Sequence, residues 1–599
     1  MSRLRADTLT DRTGTSAPDL THGATSTTGT FSGDLGGGDV TLSGNASVDG
    51  TLTYQDADNI NSTGIITAQQ GIQVSANGFD VTGISTFNSP ITVAGITTIN
   101  DSGLHATGVV TATSFTGDGS GLTGTNRTIS AVASGTIPNG ATVIINTDGT
   151  VGIVTLVPSN TPTFGSAVVF ESALSNHVSA TFDSTNNKVV VAYQDSPNSF
   201  YGTAIVGTVS GTSISFGTPV VFNSGTTSYI SATFDSSNNK VVVAYRNESN
   251  SDYGTAIVGT VSGTSISFGS AVVFESANAN SISATFDSSN NKVVIAYRDV
   301  GNSSYGTAIV GTVSGTSISF GSAVVFESAN SAYISAAFDS SNNKVVIAYQ
   351  DGGNSSYGTA IVGTVSGTSI SFGSAVVFES ADTRNISATF DSSNDKVVIA
   401  YMDTGNSNYG TAIVGTVSGT SISFGSAVAF FSSRAEPIST TYDSTNGKVV
   451  IAFGDYSNSG HGRAIVGTVS GTSISFGTSV VFNSADTSVY IASTYDSTNG
   501  KVVIGYRDRG NSEYGTAIVA TTSGTNVTTE NFIGFSDAAY SDGDTATVQI
   551  ITALDDAQSG LTTGSKHYVQ NDGTLSTTAG SPSVLAGTAL SDTEILVKQ

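Results

Sequence analysis

The 599-residue sequence contains no cysteine and no tryptophan, and only 11% of its residues are charged. Without cysteine there are no disulfides, no thiolate metal ligands and no cysteine nucleophile. The charges are mostly acidic, with 45 Asp and Glu against 20 Lys and Arg, so the formal net charge is −25. Because binding to nucleic acid or to an anionic membrane surface needs clustered cations, we expect neither as a partner.

Long apolar runs are also missing. No stretch approaches the ~18 uninterrupted apolar residues of a membrane-spanning helix. The opening segment, MSRLRADTLTDRTGTSAPDL, lacks the apolar region of a signal peptide. These absences predict a soluble product made in the cytosol, without membrane insertion. Gly, Ser and Thr are abundant instead, together with Val, Ile, Tyr and Phe, a composition typical of strands joined by tight turns.

A unit of 52 residues is repeated seven times in the middle of the chain. Each copy has four apolar runs, named A to D in chain order, which in the third copy read AVVF, SISATF, KVVIAY and GTAIVGTV. Four strands per unit are typical of a propeller blade. The predicted fold class is therefore all-β with a seven-bladed β-propeller; a solenoid or an eight-bladed ring is the alternative. The Phe-Gly pairs that mark the period begin at Phe164, Phe216, Phe268, Phe320, Phe372, Phe424 and Phe476.

Runs C and D are apolar without strict alternation, which indicates strands buried on both faces. Blades packed face to face bury their strands in this way, whereas 52 residues is long for one coil of a β-helix. Residues Ile153 to Leu156 resemble run D and precede the first Phe-Gly pair. We therefore expect strands from the two ends of the array to share one blade and close the ring.

Composition divides the chain into four segments: residues 1–50, a thin β-stalk at 51–145, the propeller at 146–530 and a small all-β module at 531–599. In the stalk segment a Gly-Ile or Gly-Val pair repeatedly opens a short apolar run. A single chain with so few apolar residues cannot bury a core, so several chains wound together are predicted, with a flexible linker as the alternative. The repeated pairs begin at Gly64, Gly83, Gly95 and Gly108.

Comparison of the seven copies shows where they vary. The B–C connection reads DSTNNK, DSSNNK or a close variant, and the D–A connection is SGTSIS in six copies. The A–B and C–D connections differ in every copy; in the second they are residues 223–229 and 246–252. Because successive strands alternate in direction, these two connections lie on one side of the ring. We call that side the variable face and predict that it binds a ligand.

The seven arginines of the array lie in or beside the variable connections. Guanidinium groups recognise carboxylate or phosphate, and exposed aromatic rings stack on sugars. An anionic glycan is therefore the predicted ligand; harmless drift of surface loops is the alternative. The candidate ligand-binding residues are Arg246, Arg298, Arg384, Arg434, Arg507, Arg509, Tyr229, Tyr333 and Tyr490.

The recurrent Asp of the B–C connection, as at Asp183, Asp235 and Asp391, is predicted to form an Asx-turn. A calcium loop would need alternating carboxylates and a Glu clamp, which no copy contains. We therefore predict no metal and no cofactor.

The sequence also gives little indication of a catalytic site. The five histidines are scattered, and no Ser-His-Asp or H-E-x-x-H arrangement can be assigned. Carboxylates at one blade position, such as Asp195 and Asp299, are better explained by copying of the unit than by glycosidase chemistry. The sequence predicts no catalytic residue and no enzymatic activity.

Three segments resemble virion proteins of marine bacteriophages. The opening LRADTLTDRTGTSAPDLTHGA resembles the N-terminal segment of tail and other virion proteins, and TGVVTATSFTGDGSGLTG (107–124) resembles the stalk motif of cyanophage structural proteins. The end, GLTTGSKHYVQNDGTLSTTAGSPSVLAGTAL, is similar to C-terminal modules of phage tail-fibre proteins. The resemblance implies that residues 1–50 attach to other tail or baseplate proteins and that a distal domain follows the stalk.

The expected function is that of a phage tail fibre or related receptor-binding fibre, made in the host cytoplasm and located on the virion. Its variable face would bind a host surface polysaccharide or lipopolysaccharide. We expect a homotrimer, since weak sites that are repeated gain avidity. The alternative is a purely structural virion protein, such as a capsid fibre or tail decoration, and the third possibility is a polysaccharide depolymerase.

Overall fold

The computed structural model describes residues 2–3, 28–31, 45–48, 127–486, 490–580 and 582–598. The chain divides into two compact units, residues 1–131 and 132–599. In the first unit, the short strands Ser2–Arg3, Thr28–Phe31 and Asn45–Val48 form a parallel sheet. The predicted stalk falls for the most part outside the described residues.

Repeats 1 to 6 fold into the same four strands, which we name the long, second, third and short strands. In repeat 7 the long strand is in two pieces, and the third strand pairs with Leu156–Phe164 in place of a short strand of its own. The long strands are Val168–Asp183, Val220–Asp235, Val272–Asp287, Val324–Asp339, Val376–Asp391 and Val428–Asp443, and in repeat 7 Val480–Asp486 and Ile491–Asp496. The second strands are Lys188–Asp195, Lys240–Asn247, Lys292–Asp299, Lys344–Asp351, Lys396–Asp403, Lys448–Asp455 and Lys501–Asp508. The third strands are Tyr201–Ser210, Tyr253–Ser262, Tyr305–Ser314, Tyr357–Ser366, Tyr409–Ser418, His461–Ser470 and Tyr514–Thr525. The short strands are Ser213–Phe216, Ser265–Phe268, Ser317–Phe320, Ser369–Phe372, Ser421–Phe424 and Ser473–Phe476.

One sheet of the array combines residues from two long strands. In repeat 2, residues 227–235 of the long strand pair with the second strand, which pairs with the third strand. The third strand then pairs with its own short strand and with the first half of the next long strand. Each long strand thus begins in one sheet and ends in the next. An all-β fold built from repeated four-stranded units is confirmed.

Two of the predicted connections are strands. Runs A and B form one continuous long strand, because residues of the A–B segment pair on both sides, Thr226 with Tyr201 and Thr227 with Asn247. The D–A segment contains the short strand, which pairs with the third strand. The prediction of loops at these places was wrong: Ser- and Thr-rich segments too short to show a period can still satisfy their backbone groups in a sheet.

The second strands are buried on both faces, as predicted. Residues 241–245 are fully buried, and adjacent sheets share one core. The core between sheets 2 and 3, for example, joins Val242, Ala244, Ala256 and Val258 to Val293, Ile295 and Tyr297. A single sheet therefore has no core of its own.

The last sheet contains strands from both ends of the array. The strand Leu156–Phe164 and the first half of the long strand of repeat 1 both pair with Tyr514–Thr525. The expectation that the two ends share a sheet is confirmed, although the strand that does so begins at Leu156. Val151–Ile153 pairs elsewhere, with Thr142–Ile145.

Hydrogen bonds between B–C turns repeat from one unit to the next. Thr185 Oγ1 donates to Asn239 Oδ1 at 2.7 Å, and Thr498 Oγ1 donates to Asn187 Oδ1 at 2.6 Å. The second bond joins repeat 7 to repeat 1 in the same way as the first joins repeats 1 and 2.

The predicted Asx-turns are confirmed. Fully buried Asp235 accepts hydrogen bonds at Oδ1 from the backbone N–H groups of Ser237 and Asn238, at 3.0 and 2.9 Å, and at Oδ2 from Asn238 Nδ2 at 2.9 Å. Asn239, which follows, has a φ of 53°, in the left-handed region that Asn and Gly tolerate. This constraint explains why Gly447 and Gly500 replace Asn in the last two copies.

Strands from before and after the array build a small β module. In one sheet, neighbouring strands follow the order Thr545–Gln549, Phe532–Ser536, Thr142–Ile145 and Val151–Ile153. In the other sheet, the order is Leu554–Asp555, Ile595–Val597, Val584–Ala589, Lys566–Val569 and Leu575–Ser576. The remaining strand is Thr128–Val132, and single 3-10 turns lie at Glu248–Asn250, Thr404–Asn406, Tyr456–Asn458 and Arg509–Asn511. Within the described ranges, no helix has the length and apolarity needed to cross a bilayer.

The Phe-Gly glycines permit close approach of neighbouring repeats, which gives a test of the junction between the array's ends. A Cβ on Gly217 would lie 1.9 Å from the Thr264 carbonyl oxygen, and one on Gly477 would lie 1.9 Å from that of Asn160. We expect Gly477→Ala to destabilise the fold as much as Gly217→Ala, by about 2–3 kcal/mol, because backbone cannot move aside easily. Thermal unfolding followed by circular dichroism measures both.

The control is Gly211→Ala, at a turn with a φ of 59° and open space around the added methyl group. It should cost only about 1 kcal/mol of backbone strain. A Gly477→Ala protein as stable as wild type would contradict the junction between residues 160 and 477.

Candidate functional site

The variable A–B and C–D segments lie together at one edge of the sheets. In repeat 2, the Thr226 N–H donates to Ser249 Oγ at 2.9 Å, and Ser228 Oγ donates to Glu248 Oε1 at 2.6 Å. At the next repeat, the Val300 N–H donates to the Asn278 carbonyl at 2.9 Å. Residues that vary between copies are therefore brought into contact with one another.

One position, the last but one of each second strand, joins neighbouring repeats at this edge, and we name it the junction position. Arg246 Nη1 donates to Asn280 Oδ1 at 2.7 Å, and Arg507 Nη1 to Asn176 Oδ1 at 2.5 Å. Glutamine does the same elsewhere, since Gln194 Nε2 donates to the Thr227 carbonyl at 2.7 Å. The junction positions are Gln194, Arg246, Arg298, Gln350, Met402, Gly454 and Arg507.

Arg246 is fully engaged within the protein. Besides Asn280, it donates from Nε to Ser228 Oγ at 3.0 Å and forms an ion pair with Glu248. Asp252 Oδ1 lies 3.6 Å from Nε, and the guanidinium carbon lies 4.9 Å from the centre of the Tyr229 ring. Arg246 and Tyr229 therefore stabilise the junction between repeats 2 and 3.

Arg507 and Tyr490 form a similar buried group where repeat 7 meets repeat 1. The Arg507 guanidinium lies 5.5 Å from the Tyr490 ring centre, and that ring lies 4.8 Å from the ring of His177. Burial lowers the pKa of Arg507, and Glu513 opposes the change from 3.5 Å. Burial also lowers the pKa of His177 to about 4. His177, which was not among the candidates, bridges Tyr490 and Tyr229.

The three exposed arginines pair with carboxylates of their own variable segments. Arg384 donates from Nη2 to Asp382 Oδ2 at 2.7 Å, and Arg509 donates from Nη1 to Asp486 Oδ2 at 2.7 Å. Arg434 forms an ion pair with Glu436 and lies 4.2 Å from the Tyr456 ring centre. Exposed pairs of this kind contribute little to stability. Tyr333, 38% exposed, presents an open ring on the same edge.

Arg298 differs from the other candidates because the groups that surround Arg246 have been replaced. Val300 stands where Glu248 stands in repeat 2, Ser304 where Asp252 stands, and Ala332 where Asn280 stands. Arg298 Nε is buried and has no hydrogen-bond partner among the described residues.

A second buried atom of repeat 3 also lacks a partner, the Oδ1 acceptor of Asn278, whose backbone carbonyl accepts from the Val300 N–H. Sequence reasoning did not select Asn278 because many Asn residues occur in the variable segments. The signal that distinguishes this junction is the joint loss of Glu, Asp and Asn at positions 300, 304 and 332.

The described residues contain no group of three or more His, Cys, Asp or Glu side chains that could hold a metal ion.

Comparison with known proteins gives little further information. No family model and no curated protein matches the chain. Among solved structures, the chain is similar to the BP39L lectin from Burkholderia pseudomallei (9% identity, TM-score 0.45), with 60% of this chain and 99% of that chain covered. It is also similar to a mutant of AofleA from Arthrobotrys oligospora (11% identity, TM-score 0.35, 56% and 95% covered). The SapL1 lectin in complex with alpha methyl fucoside is a further match (13% identity, TM-score 0.33, 52% and 98% covered). With TM-scores below 0.5, these likenesses carry no argument about this chain.

Substitution of Arg507 and of Arg384 by methionine should have different effects on the free energy of unfolding. We expect Arg507→Met to destabilise the protein by about 2 kcal/mol, because it removes a buried guanidinium and leaves half-buried Asn176 without its donor. Arg384→Met should cost less than about 1 kcal/mol, because it breaks an exposed pair. Urea denaturation measures both, and equal effects would contradict a structural role for Arg507.

Burial of His177 predicts acid sensitivity. A histidine whose folded pKa is lowered to about 4 contributes stability above the unfolded value of 6.5 and loses it as the pH falls towards 4. At pH 5 the loss should be about 2 kcal/mol. His177→Asn should remove this loss, and Asn385 already occupies the equivalent position with a positive φ. Denaturation at pH 7 and pH 5 measures it; an unchanged pH dependence in the variant would refute the assignment.

Proposed function

We propose that this protein is a non-enzymatic glycan-binding appendage of a virion, a tail fibre or related receptor-binding fibre, and that its variable face binds a host surface polysaccharide. The array would form a closed seven-bladed propeller, held distal to residues 1–50 in a homotrimer. The bond between Thr498 and Asn187 and the pairing of Leu156–Phe164 with Tyr514–Thr525 support closure. The resemblance of three segments to phage virion proteins supports location on the virion.

The observation that carries the proposal is the buried Nε of Arg298, which has no hydrogen-bond partner among the described residues. A buried N–H donor without an acceptor costs free energy, and a ligand that supplies an acceptor recovers it. The planar guanidinium pairs with a carboxylate through two parallel hydrogen bonds. Asn278 Oδ1, unsatisfied in the same repeat, needs a donor. A sugar hydroxyl both donates and accepts, so an acidic sugar residue supplies the carboxylate and hydroxyl groups that this junction lacks.

The test compares Arg298→Gln with wild type in binding to an array of acidic and neutral polysaccharides and to intact bacteria. Gln194 and Gln350 occupy the junction position in other repeats, so the fold accommodates this change. We expect wild type to bind acidic polysaccharides and Arg298→Gln to lose about tenfold or more in affinity, the worth of a charged hydrogen bond.

Arg384→Gln is the matched control, because it removes the same charge from a residue that has its own carboxylate partner. It should bind within about twofold of wild type. Retained binding by Arg298→Gln would overturn the role of Arg298. Absence of wild-type binding to any polysaccharide or cell, by a protein with cooperative unfolding, would overturn the receptor-binding proposal in favour of a structural spacer.

A further inference from the structure

A second set of polar groups lies between adjacent sheets, away from the junction position. In repeat 3, the Tyr297 hydroxyl donates to Glu275 Oε2 at 2.9 Å. Glu275 lies in the sheet preceding that of Tyr297, and Asp299 follows two residues after Tyr297 on the second strand. Repeats 1, 4 and 5 have the same arrangement, with the tyrosine-to-glutamate bonds at 3.1, 3.0 and 3.0 Å. We name these four places the Glu–Asp junctions: Glu171/Asp195, Glu275/Asp299, Glu327/Asp351 and Glu379/Asp403.

The two carboxylates of each Glu–Asp junction disfavour each other's charge. Burial raises the pKa of all four glutamates, and the neighbouring aspartate raises it further. Each tyrosine is almost fully buried, and burial also raises the pKa of its hydroxyl, so it remains a donor. The charged groups that act on Glu275 include Asp299 but no cation.

The equivalent place in repeat 6 contains a cation of its own. Phe431 replaces the glutamate, Phe453 the tyrosine, and Arg463 a threonine of the third strand. Arg463 donates from Nε to Asp455 Oδ2 at 2.8 Å, and its guanidinium carbon lies 5.7 Å from the Phe431 ring centre. A guanidinium thus occupies the space between the aspartate and the position of the missing glutamate.

Repeat 2 is neutral at the same place. Asn223 and Asn247 replace both acids, and Asn247 Nδ2 lies 3.5 Å from Asn223 Oδ1. Four of the seven copies have two facing acids and no internal cation, and repeat 6 has a cation where the glutamate is lost. Repeats 2 and 7 have Asn223 and Asn483 in place of the glutamate and a threonine at the position of Arg463. This pattern indicates that the Glu–Asp junctions have a positive charge supplied from outside the chain.

The threonines at the position of Arg463 provide an independent observation. Thr307 pairs directly with Tyr297, as Arg463 does with Phe453, so its side chain points to the same side of the sheet as the tyrosine that reaches Glu275. Thr203, Thr307 and Thr359 are only 1%, 2% and 2% exposed, and their Oγ1 atoms have no hydrogen-bond partner in the part of the chain that is described. At the fourth junction, Thr411 Oγ1 donates to the Tyr409 carbonyl at 3.5 Å. A buried hydroxyl without a partner is costly.

The aspartates leave one oxygen available. Oδ1 of Asp299, Asp351 and Asp403 accepts from the backbone of the following turn, for instance from the Asn302 N–H at 3.0 Å. Oδ2 is the oxygen that, in repeat 6, accepts from Arg463.

We propose that each Glu–Asp junction binds a hard divalent cation, with Ca²⁺ as the fitting ion, between the glutamate, aspartate Oδ2 and the buried threonine hydroxyl. Carboxylate and hydroxyl oxygens are the ligands that Ca²⁺ takes, with water completing its shell of 6–8 oxygens. Two carboxylates per site imply weak binding, with a dissociation constant of about 10⁻⁴–10⁻³ M. This site differs from the Asx-turn of the B–C connection, and the proposal does not depend on glycan binding.

The experiment uses Tb³⁺, an oxygen-seeking substitute for Ca²⁺ whose emission is excited through nearby tyrosine. Because the chain has no tryptophan, sensitised emission comes from tyrosine alone. We expect saturable emission from the full-length protein, competed by Ca²⁺, and a calorimetric stoichiometry of about four Ca²⁺ per chain from the four junctions. The test variant combines Glu171→Gln, Glu275→Gln, Glu327→Gln and Glu379→Gln; each new amide oxygen still accepts from the tyrosine. It should weaken Tb³⁺ binding about tenfold or more.

Two further variants separate binding from folding and from net charge. Glu275→Phe with Tyr297→Phe and Thr307→Arg installs the repeat 6 arrangement in repeat 3 and should remove one site of four. The charge control changes four exposed acids of the C-terminal module and should retain wild-type binding: Glu530→Gln, Asp537→Asn, Asp542→Asn and Asp544→Asn. Absence of sensitised emission from wild type would overturn the proposal, and a proton shared by the two acids would give this result. Equal emission from the four-glutamine variant and wild type would also overturn it.

Discussion

The structure depends on the burial of the second strand on both faces. Residues such as Val241 to Tyr245 leave no solvent-facing side, so a sheet that contains them must be covered by another sheet on each side. Among the described residues, the sheets that cover it belong to neighbouring copies of the same unit. It follows that the repeats cannot be stable singly, and that the first and last copies need each other as much as any two neighbours do.

This constraint makes the space between sheets the place where side chains must match. A polar group there has only the neighbouring repeat to bond to, so changes occur in pairs: Arg507 with Asn176, or Asn223 with Asn247. Repeat 6 changes three residues together, and Arg463, which donates to Asp455, lies against the Phe431 ring. Differences between copies are therefore partly adjustments of packing, and they do not by themselves identify a ligand site.

The sequence was informative about everything that a period or a turn motif specifies. The all-β class, the buried second strands and the Asx-turn of Asp235 followed from apolar runs and from Asp-Ser-Asn spacing. The continuity of runs A and B could not be predicted, because a polar segment such as residues 223–229 has no apolar alternation that would indicate a strand. The partners of the arginines were also hidden. Arg246 and Arg298 follow nearly identical apolar runs, yet their environments differ in part through residues 34 positions away, Asn280 and Ala332.

The same reasoning limits how the variable face could gain avidity. Seven equal weak sites around one ring would multiply affinity through effective concentration, but the junction positions are not equal. Arg246 and Arg507 each donate to an internal acceptor, although Nε of Arg507 has none, and Met402 and Gly454 offer no charge. The buried Nε of Arg298 also lacks a partner among the described residues. If Arg298 carries the ligand contact, one chain contributes one strong position and several weak exposed pairs such as Arg384 with Asp382. Multiplicity would then come from several chains, which makes assembly of the fibre, more than repetition of the blade, the condition for firm attachment.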